Sequence, residues 1–163
     1  MIITLDTQQR TAVRVTRRFG ESMERIFDAW LDPKTASNWL FATATGPSLC
    51  MGIDARPGGW FYIVERQDRE RVDHVGESIE IVPSRRLVFT LFAEKYSLQF
   101  ERVTVLLVPS GSGCELDLTH ETKPELAGRA RRSWTEMFDR LAETIGESGS
   151  NTVPRDARAA RGR

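Results

Sequence analysis

A single apolar stripe near the end of the chain constrains its fold more than any other feature. Leu126, Ala130, Trp134, Met137, Phe138, Leu141 and Ile145 recur three or four residues apart, which is the period of one helix face. The segments before it carry strand patterning. A long amphipathic helix and a one-sided sheet each need the other to bury their apolar faces. The expected class is therefore α+β, with one long helix closing one curved antiparallel sheet. Such a pair leaves a space between its layers, and function is to be sought there, because no catalytic motif is present.

The strands can be followed along the chain. From Thr11 to Phe19, Val13, Val15 and Phe19 share one face and Arg14, Thr16 and Arg18 the other, an alternation that predicts a first strand. After Gly20, Ser22 is placed to cap a short helix bearing Ile26, Phe27, Trp30 and Leu31, and Pro33 disfavours helical geometry at Asp32 and so ends it. Residues 34–40 read as a second short helix presenting Trp39 and Leu40, and the bent pair would close one end of a cavity. From Leu49 to Thr122, strands alternate with turn chemistry at Pro57-Gly58-Gly59, Gln67-Asp68-Arg69-Glu70, Pro83-Ser84-Arg85 and Pro109-Ser110-Gly111-Ser112-Gly113, as in an antiparallel meander. The last strand is the clearest, with Cys114, Leu116, Leu118 and His120 facing inward and Glu115, Asp117, Thr119 and Glu121 outward. Thr122 and Glu125 have capping-box spacing with Pro124 in the first turn, and Gly146 marks the expected end of the closing helix.

Composition narrows the class of function. At 163 residues the chain fits one domain, large enough to bury roughly 70% of its unfolded surface. Its 23 basic and 23 acidic side chains cancel, so no global field draws it to nucleic acid or anionic lipid. Cys50 and Cys114 are the only cysteines and the two histidines, His74 and His120, lie far apart. A disulfide scaffold and a zinc site are therefore not expected, and a reduced, cytoplasmic setting is. The start, Met1-Ile2-Ile3-Thr4-Leu5-Asp6, does not resemble a leader, and no run is long enough to span a membrane. After Gly146 the composition turns to small residues with Arg155, Arg158, Arg161 and Arg163. This reads as a disordered, solvated tail with at most weak, salt-sensitive contact to RNA or an acidic surface.

In this order of elements, specific residues resemble a known family. Arg18-Phe19, Ile26-Phe27-Asp28-Ala29-Trp30-Leu31-Asp32-Pro33, Trp39, Asp54-Ala55-Arg56-Pro57-Gly58-Gly59-Trp60-Phe61, the run from Gly76 to Thr90, and Trp134 with Leu141 resemble homologues of the activator of heat-shock protein 90 ATPase. That family belongs to the START-like, helix-grip (SRPBCC) superfamily. The resemblance implies a helix-grip domain over 11–146, preceded by an extension at 1–10 and followed by the tail at 147–163. It also implies a ligand cavity between the sheet and the last helix. Members often carry Gly before the helix tryptophan, whereas Ser133 precedes Trp134 here; a cavity at that position would be smaller and more polar.

The expected cavity residues are Trp30, Trp39, Trp60, Tyr62, Phe89, Leu91, Leu118, His120, Trp134, Met137 and Phe138. Each taken singly also suits plain core packing. His120 is the polar member of an apolar face and reads either as a ligand contact or general base, or as a strand-end histidine bonded to backbone. His74 shares parity with Gly76, Ser78 and Glu80 and is expected in solvent, while Glu77 shares parity with Val75, Ile79 and Ile81 and is a candidate acid or base on the inner face. Asp54 and Arg56 read as a surface ion pair or a carboxylate clamp. No phosphate loop, nucleophile elbow or paired-histidine motif is present, and no cofactor is called for. The expected function is binding of a small hydrophobic or amphiphilic molecule, with the segments 22–40 and 94–98 as moving parts. The alternatives are a module contacting a chaperone ATPase, and an enzyme of the polyketide cyclase or dehydratase sort. A homodimer through an exposed sheet edge is a further expectation.

Overall fold

The computed structural model describes residues 9–42 and 46–150. Most of the expected extension at 1–10, and the tail from residue 151 on, lie outside them. Strand β1 (Thr11–Phe19) leads into helices α1 (Met23–Leu31) and α2 (Pro33–Ala36), and these into β2 (Cys50–Ile53), β3 (Trp60–Gln67), β4 (Glu70–Val82), β5 (Arg86–Leu91), β6 (Glu101–Ser110) and β7 (Gly113–Thr122). Helix α3 (Ala127–Ser150) follows β7 as the last described element. The seven strands form one sheet in the order β1-β7-β6-β5-β4-β3-β2, antiparallel throughout. This is the expected helix-grip architecture: the sheet curls around α3, and β1 returns beside β7 to complete it.

Local chemistry sets the helix pair. Ser22 Oγ accepts from Arg25 N at 3.2 Å and caps α1. Asp32 ends α1 and begins α2: its backbone N–H reaches Asp28 O, and its carboxylate accepts from Lys34 N and Thr35 Oγ1 at 3.3 and 2.8 Å. Pro33 then fills the first position of α2, where the missing N–H costs nothing. Trp39 Nε1 donates to Ala29 O at 3.0 Å, fastening the turn after α2 to α1.

One turn, between β2 and β3, uses two glycines for different reasons. Gly58 has φ +82°, a left-handed conformation open to glycine at little cost. Gly59 does not, but a Cβ there would lie 2.2 Å from Asp54 O, so it is the close backbone approach that excludes a side chain.

The start and end of α3 differ from expectation. Thr122 does not cap the helix; its hydroxyl donates to Glu101 Oε2 at 2.7 Å. The chain enters α3 through a 3₁₀ turn, Pro124–Leu126, whose first residue has no side-chain cap. Helical backbone continues past Gly146 to Ser150, because a glycine without positive φ interrupts a helix only weakly.

A break in β4 decides which residues face the helix. Up to Ser78, the even-numbered members Val72, His74, Gly76 and Ser78 are buried. Between Ser78 and Glu80 the register to β5 shifts, and beyond it the odd-numbered Ile81 packs on the core. A bulge inserts one residue and so reverses parity. Counting back from Ile81 at constant parity therefore assigns the wrong face to everything before the bulge. His74 is 3% exposed and not in solvent, and Glu77, opposite the exposed Trp60, is on the outer face.

The centre of the core is aromatic. Trp30 meets Trp39 edge to face with centroids 4.7 Å apart and lies 5.9 Å from Trp134 and 6.2 Å from Phe138. Leu116, Leu118 and Leu141 are fully enclosed beside them.

Candidate functional site

Between the sheet and the first half of α3 lies a cleft of about 60 Å³. Its floor is polar. On β3 and β4, Glu65 Oε1 and His74 Nε2 are 2.8 Å apart; on β6 and β7, Glu101 Oε1 and His120 Nε2 are 2.9 Å apart. Both pairs arise the same way. Ile63 is registered with His74 and Val103 with His120, so each glutamate reaches its histidine on a diagonal across an antiparallel strand pair. Leu91 of β5 lines the floor between them.

The His120 pair is fully bonded. Trp134 Nε1 lies 3.0 Å from His120 Nδ1. An indole N–H can only donate, so Nδ1 accepts and the ring proton is on Nε2, donated to Glu101. The other Glu101 oxygen accepts from Thr122. Burial disfavours the charged carboxylate of Glu101, but the hydrogen bonds from His120 and Thr122, with the nearby positive charge of Arg10, outweigh it and hold the group below its ordinary value. With both ring nitrogens engaged, His120 positions a carboxylate and a tryptophan and has no free lone pair with which to take a proton.

His74 is different. Its ring stacks on Phe41 at 3.8 Å, and its Nδ1 is buried without a hydrogen-bond partner among the described residues. Phe41 itself is held at φ +52°, a strained choice for a residue with a bulky side chain, with its N–H donated to Met137 Sδ at 3.2 Å. The imidazole is therefore covered by an aromatic ring that α3 helps to fix.

The walls come from α3, which contributes Arg129, Ala130, Ser133, Trp134 and Met137, and from the loop bearing Ala93, Tyr96 and Ser97. Ser133 faces the cleft, so the serine that replaces the expected glycine narrows it and adds a hydroxyl. A recess of about 180 Å³ adjoins, sharing Phe41, Glu65, Ser133 and Met137 and adding Glu136 and Arg140. A third gap of about 30 Å³, beside the helix pair, is lined by Trp30, Leu31, Phe61, Ile63 and Phe89.

The expected site residues separate into four groups. Leu91, His120, Trp134 and Met137 line the cleft, and Trp30 and Phe89 line the third gap. Trp39, Leu118 and Phe138 are enclosed in the core and border none of these spaces. Trp60 and Tyr62 are 54% and 48% exposed on the outer face, which corrects their expected place in the cavity. The reason is that β3 is apolar on both faces through Trp60-Phe61-Tyr62-Ile63-Val64, so alternation gives no sidedness. The register with β4 turns Phe61 and Ile63 inward instead. Asp54 and Arg56 form an exposed ion pair at 2.9 Å just after β2. Sequence reasoning missed Glu65, His74, Glu101, Thr122 and Arg129; the signal for Glu101 was its diagonal relation to His120 across the final hairpin, and for Thr122 its shared parity with His120 on β7.

Among the described residues no group of three or more His, Cys, Asp or Glu side chains is placed to hold a metal ion, and no helix is long and apolar enough to cross a membrane.

Comparison with known proteins agrees with this geometry. The family model described as activator of Hsp90 ATPase homolog 1-like protein matches residues 21–146. A protein of unknown function from Staphylococcus aureus has the same fold with a TM-score of 0.78 at 15% identity, covering 88% of this chain and 98% of that one. An uncharacterised protein from Rhizobium leguminosarum gives 0.74 at 18%, covering 85% and 96%. CalU16 from Micromonospora echinospora gives 0.62 at 19%, covering 93% and 94%. At these identities the likeness concerns fold alone. No curated protein matches the chain.

Proposed function

The chain belongs to the activator of Hsp90 ATPase homolog 1-like family, and from that premise and the cleft geometry we propose that it binds a small amphiphilic molecule between the sheet and α3. The observation that carries this reading is the polar floor. Two buried imidazole–carboxylate pairs under a largely apolar wall are costly to desolvate, and core packing alone does not call for them. A ligand with an apolar body and a hydrogen-bonding end fits such a mixed surface. Its apolar part gains about 25 cal/mol for each Å² removed from water.

The volume sets the scale. Sites for drug-sized molecules are roughly 300–1,000 Å³, well above the cleft's 60 Å³. The resting cleft therefore suits a molecule of few heavy atoms, and a larger one requires the loop carrying Tyr96 and Ser97 to move outward. Catalysis gains no support from His120, whose ring nitrogens are both used, or from Glu77, which lies on the outer face.

Native mass spectrometry beside the denatured mass, followed by a thermal-shift screen of small aromatic and alkyl amphiphiles, tests this reading. A ligand of the folded state alone raises the melting temperature with a saturable dose response. Ser133→Leu, which fills the cleft, is expected to abolish the shift. A shift that survives both Ser133→Leu and Ala130→Phe would place binding elsewhere.

A second reading, contact with a chaperone ATPase of the Hsp90 type, draws on the family description and on the exposed apolar side chains Trp60, Tyr62, Leu98 and Phe100, of which Trp60 and Phe100 meet at 6.0 Å. It predicts faster ATP turnover by such a chaperone on adding this protein, lost in Trp60→Ala. Homodimerisation has two open sheet edges to use, β1 and β2, and analytical ultracentrifugation measures it.

A further inference from the structure

Among the described residues, one cation of the cleft has no countercharge. Arg129, in the first turn of α3, lines the mouth and lays its guanidinium over the Tyr96 ring, 3.5 Å from the centroid. Seven other arginines hold carboxylates, but among the described residues none pairs with Arg129. The two carboxylates that share the cleft are already committed, Glu65 to His74 and Glu101 to His120 and Thr122.

The aromatic platform is itself fixed. Gln67 Nε2 donates to the Tyr96 hydroxyl oxygen at 2.6 Å, and Lys95 Nζ bridges Gln67 Oε1 and Glu70 Oε2 at 2.7 Å each. Tyr96 accepts in that bond, and among the described residues its own proton has no acceptor. The mouth thus presents a stacked guanidinium and a phenolic donor side by side, both half-buried. Stacking removes rotamer freedom from the arginine before any ligand arrives, and the planar fork matches a carboxylate in two parallel hydrogen bonds.

Resting on the reading of the cleft given above, we infer that the ligand is an anionic amphiphile whose carboxylate, or a similar planar anion, is held at the mouth by Arg129 with Tyr96 beside it. The apolar body then points inward along Leu91, Ala130 and Trp134. The charge distribution fixes this orientation, since an anion driven to the floor would meet Glu65 and Glu101, whereas at the mouth it meets the unpaired cation. A cationic amphiphile would face Arg129 on entry, and a neutral one would leave it unpaired.

Two matched series test the inference: phenylacetate, 2-phenylethanol and 2-phenylethylamine, and octanoate, 1-octanol and octylamine, each titrated calorimetrically into the intact protein. The acid of a series is expected to bind about tenfold or more tighter than its alcohol. Arg129→Met keeps an unbranched stem over Tyr96 but removes the fork. It should erase that preference, the acid losing about tenfold more affinity than the alcohol; Arg129→Gln is the second variant if the first folds poorly. Equal binding of acid and alcohol by the wild type, an acid preference that persists in both variants, or tightest binding of the amine would overturn the inference. In those cases, alcohol binding that Ser133→Leu blocks leaves the cleft itself standing as the site. If no member of either series binds the wild type, the cleft reading fails, and the inference with it.

Discussion

Replacing Glu101 tests whether the cleft floor is a bonded unit. Its side chain is 12% exposed and accepts from His120 Nε2 and Thr122 Oγ1. In Glu101→Ala both donors lose their acceptor. His120 cannot escape by moving its proton, because Nδ1 already accepts from Trp134. An orphaned buried donor costs about 1–3 kcal/mol. The threonine hydroxyl can rotate and belongs at the low end, so the variant should lose about 2–3 kcal/mol. For a domain of this length that is a fall of roughly 4–12 °C in melting temperature. Glu101→Gln keeps one acceptor oxygen and should lose about half as much. The exposed pair of Glu70 with Lys95 is the control, and Glu70→Ala should leave the melting temperature where it was. The pH dependence has a definite sign. Glu101 is held below its ordinary value of 4.5, so its contribution is fully present above that pH and is lost as pH falls through the lower folded value. The gap between wild type and Glu101→Gln should therefore narrow as pH drops below about 4.5. Circular-dichroism melts of the four proteins across pH decide the matter; a Glu101→Ala melt indistinguishable from Glu70→Ala would refute the reasoning.

Other consequences can be checked with simple variants and reagents. A Cβ at position 76 would lie 1.8 Å from Thr90 O and press on the Phe61 ring, so Gly76→Ala should cost about 2 kcal/mol or more, whereas Gly20→Ala, with open space around it, should be near neutral in the same denaturant titration. Cys50 is exposed, while Cys114 is buried with its thiol pushed above the ordinary value by desolvation. Because the thiolate is the reactive form, a thiol reagent should modify one cysteine quickly and the second only on unfolding.

What the chain discloses before folding depends on how local the cause is. The stripe from Ala130 to Ile145 and the alternation from Cys114 to His120 are set within single elements, and the structure has both as expected; Leu126, the first member of the expected stripe, lies half-buried in the 3₁₀ turn before the helix. The same holds for Ser22 and for Asp32-Pro33, where side chains act on backbone a few residues away. Strand β4 misleads because its bulge has no local mark, and one inserted residue moves His74 from solvent to the cleft floor. Strand β3 misleads because apolar residues occupy both of its faces. Thr122 offers capping-box spacing, yet its hydroxyl goes to Glu101, 21 residues earlier in sequence and across the β6–β7 pair. The polar floor and the Arg129–Tyr96 stack are likewise made by register between elements distant in sequence, which no spacing along one element records.

The tryptophans supply the most direct test of the cleft as a binding site. Trp134 lines it with its indole N–H on His120, Trp60 is exposed on the opposite face, and Trp30 and Trp39 are buried in the core. In a nitrogen-15 correlation spectrum their indole N–H signals report four separate places, each assigned by a Trp→Phe variant. Titration with phenylacetate should shift the Trp134 signal saturably and leave that of Trp60 in place. A saturable shift of Trp60 with Trp134 unmoved, or no saturable shift at Trp134 with either phenylacetate or octanoate, would contradict the account.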